Sequence, residues 1–415
     1  MQVLFVHRAF PAQFGRLAWE LNRRYGWKCR FLVSHISRCP SPEPEMLKAV
    51  SITLLRPPDN ANDQAHWTQI FGTKLAWGER LANAALEIGG PPPDLVLGHG
   101  GLLPTLFLRE VFDCPIVDFC EFYFATQHRD LTYRVDLPPV EAAPCYPRAV
   151  NAATLLNLIN CHAAIAPSEY QRRSFPRRLW DRIAVHRDGL DTELYSPRPV
   201  PRVVEGRELP PGTRVVTFSA RGLESMRGFD LLVRIAEGVM RRRSDVVFLV
   251  AGDDGVYYGW DKSFTGKLSF KEAVLAGSSV DRARLIFLGH IEPAKLAEIF
   301  AMSDLHLYLS VPFVTSWSVL NAMSSGCVVL AGDDEATREF IEPGQNGLLE
   351  PLFDTDRFVE TVLRVLADPA AYRPLGEAAR ETILAHHHYD VVIPRLEAFL
   401  SQVARDCTPS DSPIR

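Results

Sequence analysis

Several signatures that would settle a function at once are missing from this chain. There is no G-x-G-x-x-G after the first strand-like run and no G-x-x-x-x-G-K-[ST] anywhere, which argues against a nicotinamide fingerprint and a P-loop. No G-x-S-x-G elbow, no H-E-x-x-H pair and no metal-spaced ligand set occurs, so no resident metal is expected. The eight cysteines are scattered with no C-x-x-C pair, the pattern of buried or free thiols rather than a zinc site or a disulfide framework. No apolar run reaches about 18 residues, so no membrane span is expected. Met1 and Gln2 lead into VLFV without a basic n-region, so no signal peptide is expected and the reading is a cytoplasmic chain. Charge of one sign is also lacking. Against 50 acidic residues stand 45 basic ones, net −5, and nothing calls for nucleic acid as a partner.

What is present is length, proline and rhythm. A chain of 415 residues exceeds one hydrophobic core and suits two domains. Apolar strand-like runs alternate with amphipathic helical runs from VLFV onward, and a second alternating series begins near Thr213. That alternation implies parallel sheets with helices on both faces. Residues 124–150 break the rhythm and read as a long irregular insertion, functional or disordered, and a candidate lid. The organising stretch is Leu305 to Gly326. It reads as a buried strand to Ser310, a loop containing Pro312, and a helix from about Ser318. Ser318 and Asn321 resemble a loose capping box there. A strand, a short loop and a helix start present amides and the positive end of a helix dipole to an anion.

The carboxyl edges of the strands are where doubly wound folds bind ligands. In the second half those edges hold Arg221 with Gly222, Gly252 with Asp253, Gly289 with His290, and the loop leading to Ser318. Arg221 and Arg227 share the loop SARGLESMRGF, where two guanidiniums beside a helix start can cradle a diphosphate. In the first half His99 lies between Gly98 and Gly100 at a strand end, and Asp118 and Glu121 frame the next edge. The run Arg172, Arg173, Arg177, Arg178 and Arg182 has two readings: a solvated helix face, or a patch for an anionic acceptor or lipid headgroups at a membrane surface.

Taken in order, these segments resemble family 4 of the glycosyltransferases over nearly the whole length. RDGLDTELYSP (187–197) looks like that family's interdomain signature, and SARGLESMRGFD (219–230) like its diphosphate loop. VFLVAGDD, IFLGHI, SWSVLNAMSSGCVVLAGD and REFIEPGQNGLLEP follow in family order. The resemblance implies an α/β protein of GT-B fold, two Rossmann-like doubly wound parallel-sheet domains facing an interdomain cleft. Residues 1–195 would form the acceptor-side domain and 196–387 the donor domain, with a helix over 388–407 packing back on the first.

By resemblance, His99, Arg221 and Arg227 are the catalytic set, and Gly15 sits on a glycine loop facing the donor phosphate. Gly252, Gly289, Phe313, Thr315, Ser316, Trp317, Ser318 and Asn321 are the implied donor-binding residues, with Glu121 and His128 on the acceptor side. The implied reaction is metal-independent, retaining transfer of a sugar from a UDP- or GDP-type nucleotide-diphosphate donor, with no cofactor. The acceptor would be a saccharide, a lipid-linked molecule or a small molecule. One departure stands out: where the family carries two glutamates eight positions apart, this chain has Phe313 and Asn321. That departure keeps open a non-catalytic nucleotide-sugar-binding protein, and a nucleotide-sugar epimerase on the same fold is a third reading. A dehydrogenase ranks below these because the glycine fingerprint is missing.

Overall fold

The computed structural model describes residues 1–37, 41–56, 67–125, 130–138 and 145–406. The chain forms two compact units. One comprises Met1–Thr126, Ala142–Gly189 and Tyr389–Arg415; the other comprises Gln127–Glu141 and Leu190–His388.

The first unit is built on a seven-stranded sheet. Its strands are β1 Gln2–Val6, β2 Lys28–Val33, β3 Val50–Leu54, β4 Leu95–Gly98, β5 Ile116–Phe119, β6 Ala163–Ala166 and β7 Ile183–Val185. They lie in the order β3-β2-β1-β4-β5-β6-β7, all parallel. The central strands are continuous apolar runs because both faces are covered. Val3, Leu4, Phe5 and Val6 are all fully buried, and each such side chain contributes about 1.5–3 kcal/mol of transfer free energy. The helix Ala12–Tyr25 lays Phe14, Leu17, Ala18 and Leu21 on one face of the sheet, and Gly26 in the left-handed region ends it. Helix Tyr389–Asp406 also belongs to this unit. Asp390 pairs with Arg24 at 2.6 Å, and the Arg16 guanidinium lies 4.9 Å from the Tyr389 ring centroid.

The second unit repeats the plan with six strands: β8 Arg214–Gly222, β9 Val246–Asp253, β10 Leu285–Gly289, β11 Leu305–Tyr308, β12 Val329–Gly332 and β13 Leu348–Glu350. Their order is β10-β9-β8-β11-β12-β13, again all parallel. Helix Phe229–Arg242 buries Phe229, Leu232, Ile235, Ala236 and Val239 and ends on Arg241 and Arg242, cations that suit the negative end of its dipole. Helix Thr355–Ala367 packs against it so closely that a Cβ on Gly238 would lie 2.7 Å from Val359.

Strand order reverses beside the first strand of each sheet, between β1 and β4 and again between β8 and β11. At such a switch point the loops leaving the two strands diverge and open a crevice.

Four local expectations are corrected. The segment 102–112, where the alternation of strands and helices implies a helix, makes only a 3₁₀ turn at Leu106–Glu110, since Pro104 and the Gly100–Gly101 pair leave too little regular chain. β11 stops at Tyr308 rather than Ser310. Two three-residue strands, β7 and β13, are too short to show a period and were not anticipated as strands. Residues 130–138, read as part of the first domain, belong to the second unit, where Arg134 is held by Asp230.

Candidate active site

In the second unit the site is organised by the loop after β8. The strand pairing shifts register between Ser219 and Gly222, and the chain turns through a 3₁₀ segment, Ser225–Arg227. Gly228 follows with φ 72°, and a Cβ there would sit 2.3 Å from the Leu309 carbonyl oxygen. Only glycine meets both conditions, a left-handed backbone and direct contact with the residue that follows β11. Gly252 similarly lets β9 approach β8, since a Cβ on it would lie 2.6 Å from the Ala220 oxygen.

Glu224 fastens this loop to the next one. Its fully buried Oε2 accepts from the amides of Tyr257 at 2.7 Å, Tyr258 at 2.9 Å and Gly259 at 3.3 Å. Burial pushes its pKa up, and those amides oppose the shift. The result is two tyrosine rings under two guanidiniums. Arg221 lies 4.0 Å from the Tyr257 centroid, and Arg227 lies 4.7 Å from the Tyr258 centroid. Tyr257 in turn donates its hydroxyl to Asp253 at 2.5 Å.

The two arginines differ in setting. Arg221 is exposed, whereas Arg227 is 7% exposed and donates to Ser310 Oγ at 3.2 Å. Burial raises the Tyr308 pKa; Arg227, the Ser310 side chain and the Ser316 backbone oppose that rise. Ser310 lies on the loop between β11 and helix Trp317–Ser324, so the Arg227–Ser310 bond ties the guanidinium to the approach to that helix. The N-cap of that helix is Ser316, whose Oγ accepts from the Ser318 amide at 3.4 Å. This corrects the capping box read at Ser318: the Ser318 hydroxyl instead donates to the Ser219 carbonyl at 2.8 Å, tying the helix start to β8. Asn321 is half-buried, its Oδ1 lacking a hydrogen-bond partner among the described residues, and Trp317 is 40% exposed. Thr315 is half-buried on the same loop. Phe313 is buried edge-on against Tyr258, with centroids 5.4 Å apart. Gly289 is exposed, with φ 65°, at the end of β10.

In the first unit a separate cluster gathers at the ends of β1, β4 and β5. His99 is buried, and its ring lies edge-on to His7 with centroids 5.1 Å apart. Its Nε2 lies 3.4 Å from Glu121 Oε2. Glu121 is held on both sides: Gln13 donates to its side chain at 3.2 Å and Gln171 to its carbonyl at 2.7 Å. Beneath them the Asp118 carboxylate accepts from the Gly100 amide at 2.8 Å. Complete burial pushes the Asp118 pKa up to about 7, and burial with the nearby His99 pulls His7 down to about 3. Lys74 donates to the Gly101 carbonyl, and its pKa is drawn down to about 8 by burial and then by Arg8.

Gly15 requires a correction. It is not on a loop but is the fourth residue of helix Ala12–Tyr25, where a Cβ would lie 2.3 Å from Pro11 Cβ. His128 lies outside the described residues. In the basic run Arg172 and Arg173 both pair with Glu169 at 2.7 Å, and Arg182 donates to the Cys161 carbonyl at 3.2 Å, while Arg177 and Arg178 are exposed. Sequence reasoning missed Lys74, Glu224, Tyr257 and Tyr258. Only the neighbouring tyrosines at 257 and 258, two residues after Gly255 in a loop at a strand end, could have signalled an aromatic support. Among the described residues no group of three or more His, Cys, Asp or Glu could hold a metal ion, and no helix is long and apolar enough to cross a membrane.

Residues 26–195 match the glycosyl transferase family 4 group, and residues 204–382 match glycosyl transferases group 1. The N-acetyl-alpha-D-glucosaminyl L-malate synthase of Bacillus anthracis is 30% identical over 123 residues, 30% of this chain and 32% of that enzyme. The matched stretch thus spans about a third of that relative's length. Among solved structures, sucrose-phosphate synthase from Thermosynechococcus elongatus superposes with a TM-score of 0.75 at 17% identity, covering 98% of this chain and 100% of that one. Anabaena HepE in complex with UDP-glucose gives 0.72 at 15% identity, covering 97% and 100%. The parallel-sheet units with reversed strand order, and two family matches that tile most of the sequence, make this chain a member of family 4 of the glycosyltransferases with the GT-B fold.

Proposed function

We propose that this protein is a retaining glycosyltransferase. It moves a sugar from a UDP- or GDP-type nucleotide-diphosphate donor to a saccharide, lipid-linked or small-molecule acceptor. The observation that carries the proposal is Arg227: a buried guanidinium at a sheet switch point, donating to Ser310 on the loop that leads to a helix start. Among the described residues Arg227 forms no ion pair, although the Glu224 carboxylate on the same loop is near enough to interact with it, and a buried cation so placed suits an anionic ligand.

In the proposed step the bond between the anomeric carbon and the diphosphate oxygen breaks, and a bond to the acceptor oxygen forms on the same face. The acceptor proton passes to a phosphate oxygen of the leaving diphosphate. Arg227, Arg221 and the amides around Thr315–Ser318 stabilise the charge that develops on the leaving group, so the chemistry asks for no metal. His99 is assigned to the donor sugar and Glu121 to the acceptor side. HepE holds UDP-glucose, which makes that compound the first donor to try.

The test is a thermal-shift screen against UDP-, GDP- and ADP-sugars followed by transfer assays with whichever donor stabilises the protein. Failure of every nucleotide sugar to raise the melting temperature would refute the donor site. A second reading, a binding protein without turnover, is favoured by one observation: Phe313, in place of a family glutamate, is buried on Tyr258 and offers no hydrogen bond to a sugar hydroxyl. Transfer, or slow donor hydrolysis by the purified protein, excludes it.

A further inference from the structure

Residues 130–138 lie far in sequence from the loop that carries Arg227, yet they are fixed to it by a dense set of contacts. Arg134 is 7% exposed. One of its terminal nitrogens donates to the Ser225 carbonyl at 2.7 Å and to Asp230 Oδ1 at 3.0 Å. The other donates to Asp230 Oδ2 at 2.8 Å and to Asp136 Oδ2 at 2.9 Å, while Nε donates to Asp136 Oδ1 at 2.9 Å. Every side of the guanidinium is used, in the forked geometry that only arginine presents. The same segment is seated a second time through Tyr133, whose ring centroid lies 5.7 Å from that of Phe353.

What Arg134 holds matters more than how many bonds it makes. Ser225 begins the 3₁₀ turn that ends in Arg227, and Asp230 lies in the first turn of the helix beyond Gly228. Asp261 grips Ser225 from the opposite side, accepting from its amide at 2.8 Å and from its hydroxyl. The turn is therefore clamped at its start by Asp261 and Arg134 and just past its end by Arg134 again. Nothing about the fold of the six-stranded sheet needs this second clamp, because helix Phe229–Arg242 is already buried along its apolar face.

We infer that Arg134 is a positioning residue for the donor diphosphate, acting through Ser225 and Asp230 to fix the direction of Arg227. Arg134 need not touch the ligand. This inference rests on the donor-site reading above. It makes segment 130–138 part of the donor machinery rather than an independent cover for the acceptor.

The experiment is a calorimetric titration of the full chain with UDP and with GDP, and with uridine and guanosine as phosphate-free controls. Arg134→Ala should weaken the preferred nucleoside diphosphate about tenfold while leaving the matching nucleoside within about twofold, because only the phosphate contact depends on the aim of Arg227. A general loosening of the unit would weaken both. In an Arg227→Ala background the further change from Arg134→Ala should fall to about twofold or less, the non-additivity expected when one residue acts through another. Should Arg134→Ala not fold, Asp136→Asn removes one arm of the clamp at a partly exposed carboxylate and should give the same signature at smaller amplitude. Unchanged diphosphate affinity in a folded variant, equal losses for diphosphate and nucleoside, or additive losses in the double variant would overturn the inference while leaving the donor site standing. Absence of any diphosphate binding by the unaltered protein would overturn both.

Discussion

The two units carry nearly the same sheet and put opposite chemistry at its switch point. Where β8 and β11 diverge, the second unit places two guanidiniums on tyrosine faces beside a helix start. Where β1 and β4 diverge, the first unit places the imidazoles of His7 and His99 with the carboxyl groups of Asp118 and Glu121. The strand order delivers loops to equivalent places in both; the side chains on those loops decide what the place is for. A permanent cation suits a phosphate, whose charge barely changes on binding. A cluster of titratable groups suits a hydroxyl, which must be oriented and relieved of a proton.

The comparison is most easily broken at Arg227. Arg227→Ala removes a buried cation from the proposed phosphate position and should weaken nucleoside diphosphate binding about 100-fold, measured by calorimetry. His99→Ala should leave that affinity within about twofold while lowering transfer, since it alters only the histidine and carboxylate cluster. If both substitutions weakened the diphosphate equally, the division of labour between the units would be wrong. Glu224→Ala should come next in size. It leaves the amides of Tyr257, Tyr258 and Gly259 without their acceptor and should cost about 2 kcal/mol in urea denaturation. No loss of stability would mean the tyrosine loop holds itself.

Arg221 sharpens the contrast within the second unit. It is exposed and rests on Tyr257 at 4.0 Å, whereas Arg227 is buried and anchored to Ser310. An exposed guanidinium is screened by water and salt, so Arg221→Ala should weaken the diphosphate only about fivefold, and the loss should shrink as salt rises. An effect as large as that of Arg227→Ala would show that Arg221 becomes enclosed when the donor binds.

Much of this arrangement was legible in the sequence, and what was not has a common cause. Fully buried strands such as Gln2–Val6 and Val246–Asp253 announce themselves as apolar runs. The loops at their carboxyl ends then follow from the fold rule, which is how Arg221, Arg227 and His99 could be singled out. The helix start was placed two residues late because Ser316 and Ser318 are chemically equal candidates, and only the bond from Ser318 to Ser219 tells them apart. Glu224 looked like any loop glutamate, since its partners lie 33 to 35 residues away. Arg134 was hidden for the same reason on a larger scale: its carboxylate at Asp230 is 96 residues distant, inside a segment whose broken rhythm offered no period to read. Periodicity reports burial along one element. It does not report which polar group on another element will satisfy a buried donor.

The smallest effect concerns the first unit alone, and it tests whether that cluster titrates as its burial implies. Asp118 has its pKa raised by burial from 3.8 to about 7, so between those values the folded chain keeps a proton that the unfolded chain has released. Its contribution to stability is present at low pH and is lost as pH rises toward 7. His7, lowered by burial from 6.5 to about 3, works in the other direction: over its window the unfolded chain binds the extra proton, and stability is lost as pH falls. The two slopes oppose each other between about pH 4 and 6.5 and flatten the net dependence. Asp118→Asn removes the first slope and keeps the second. The melting temperature of that variant should therefore climb more steeply with pH across this range than that of the unaltered protein. Parallel curves would mean that Asp118 is ionised throughout, and that a second carboxylate charge lies beneath His99 beside that of Glu121.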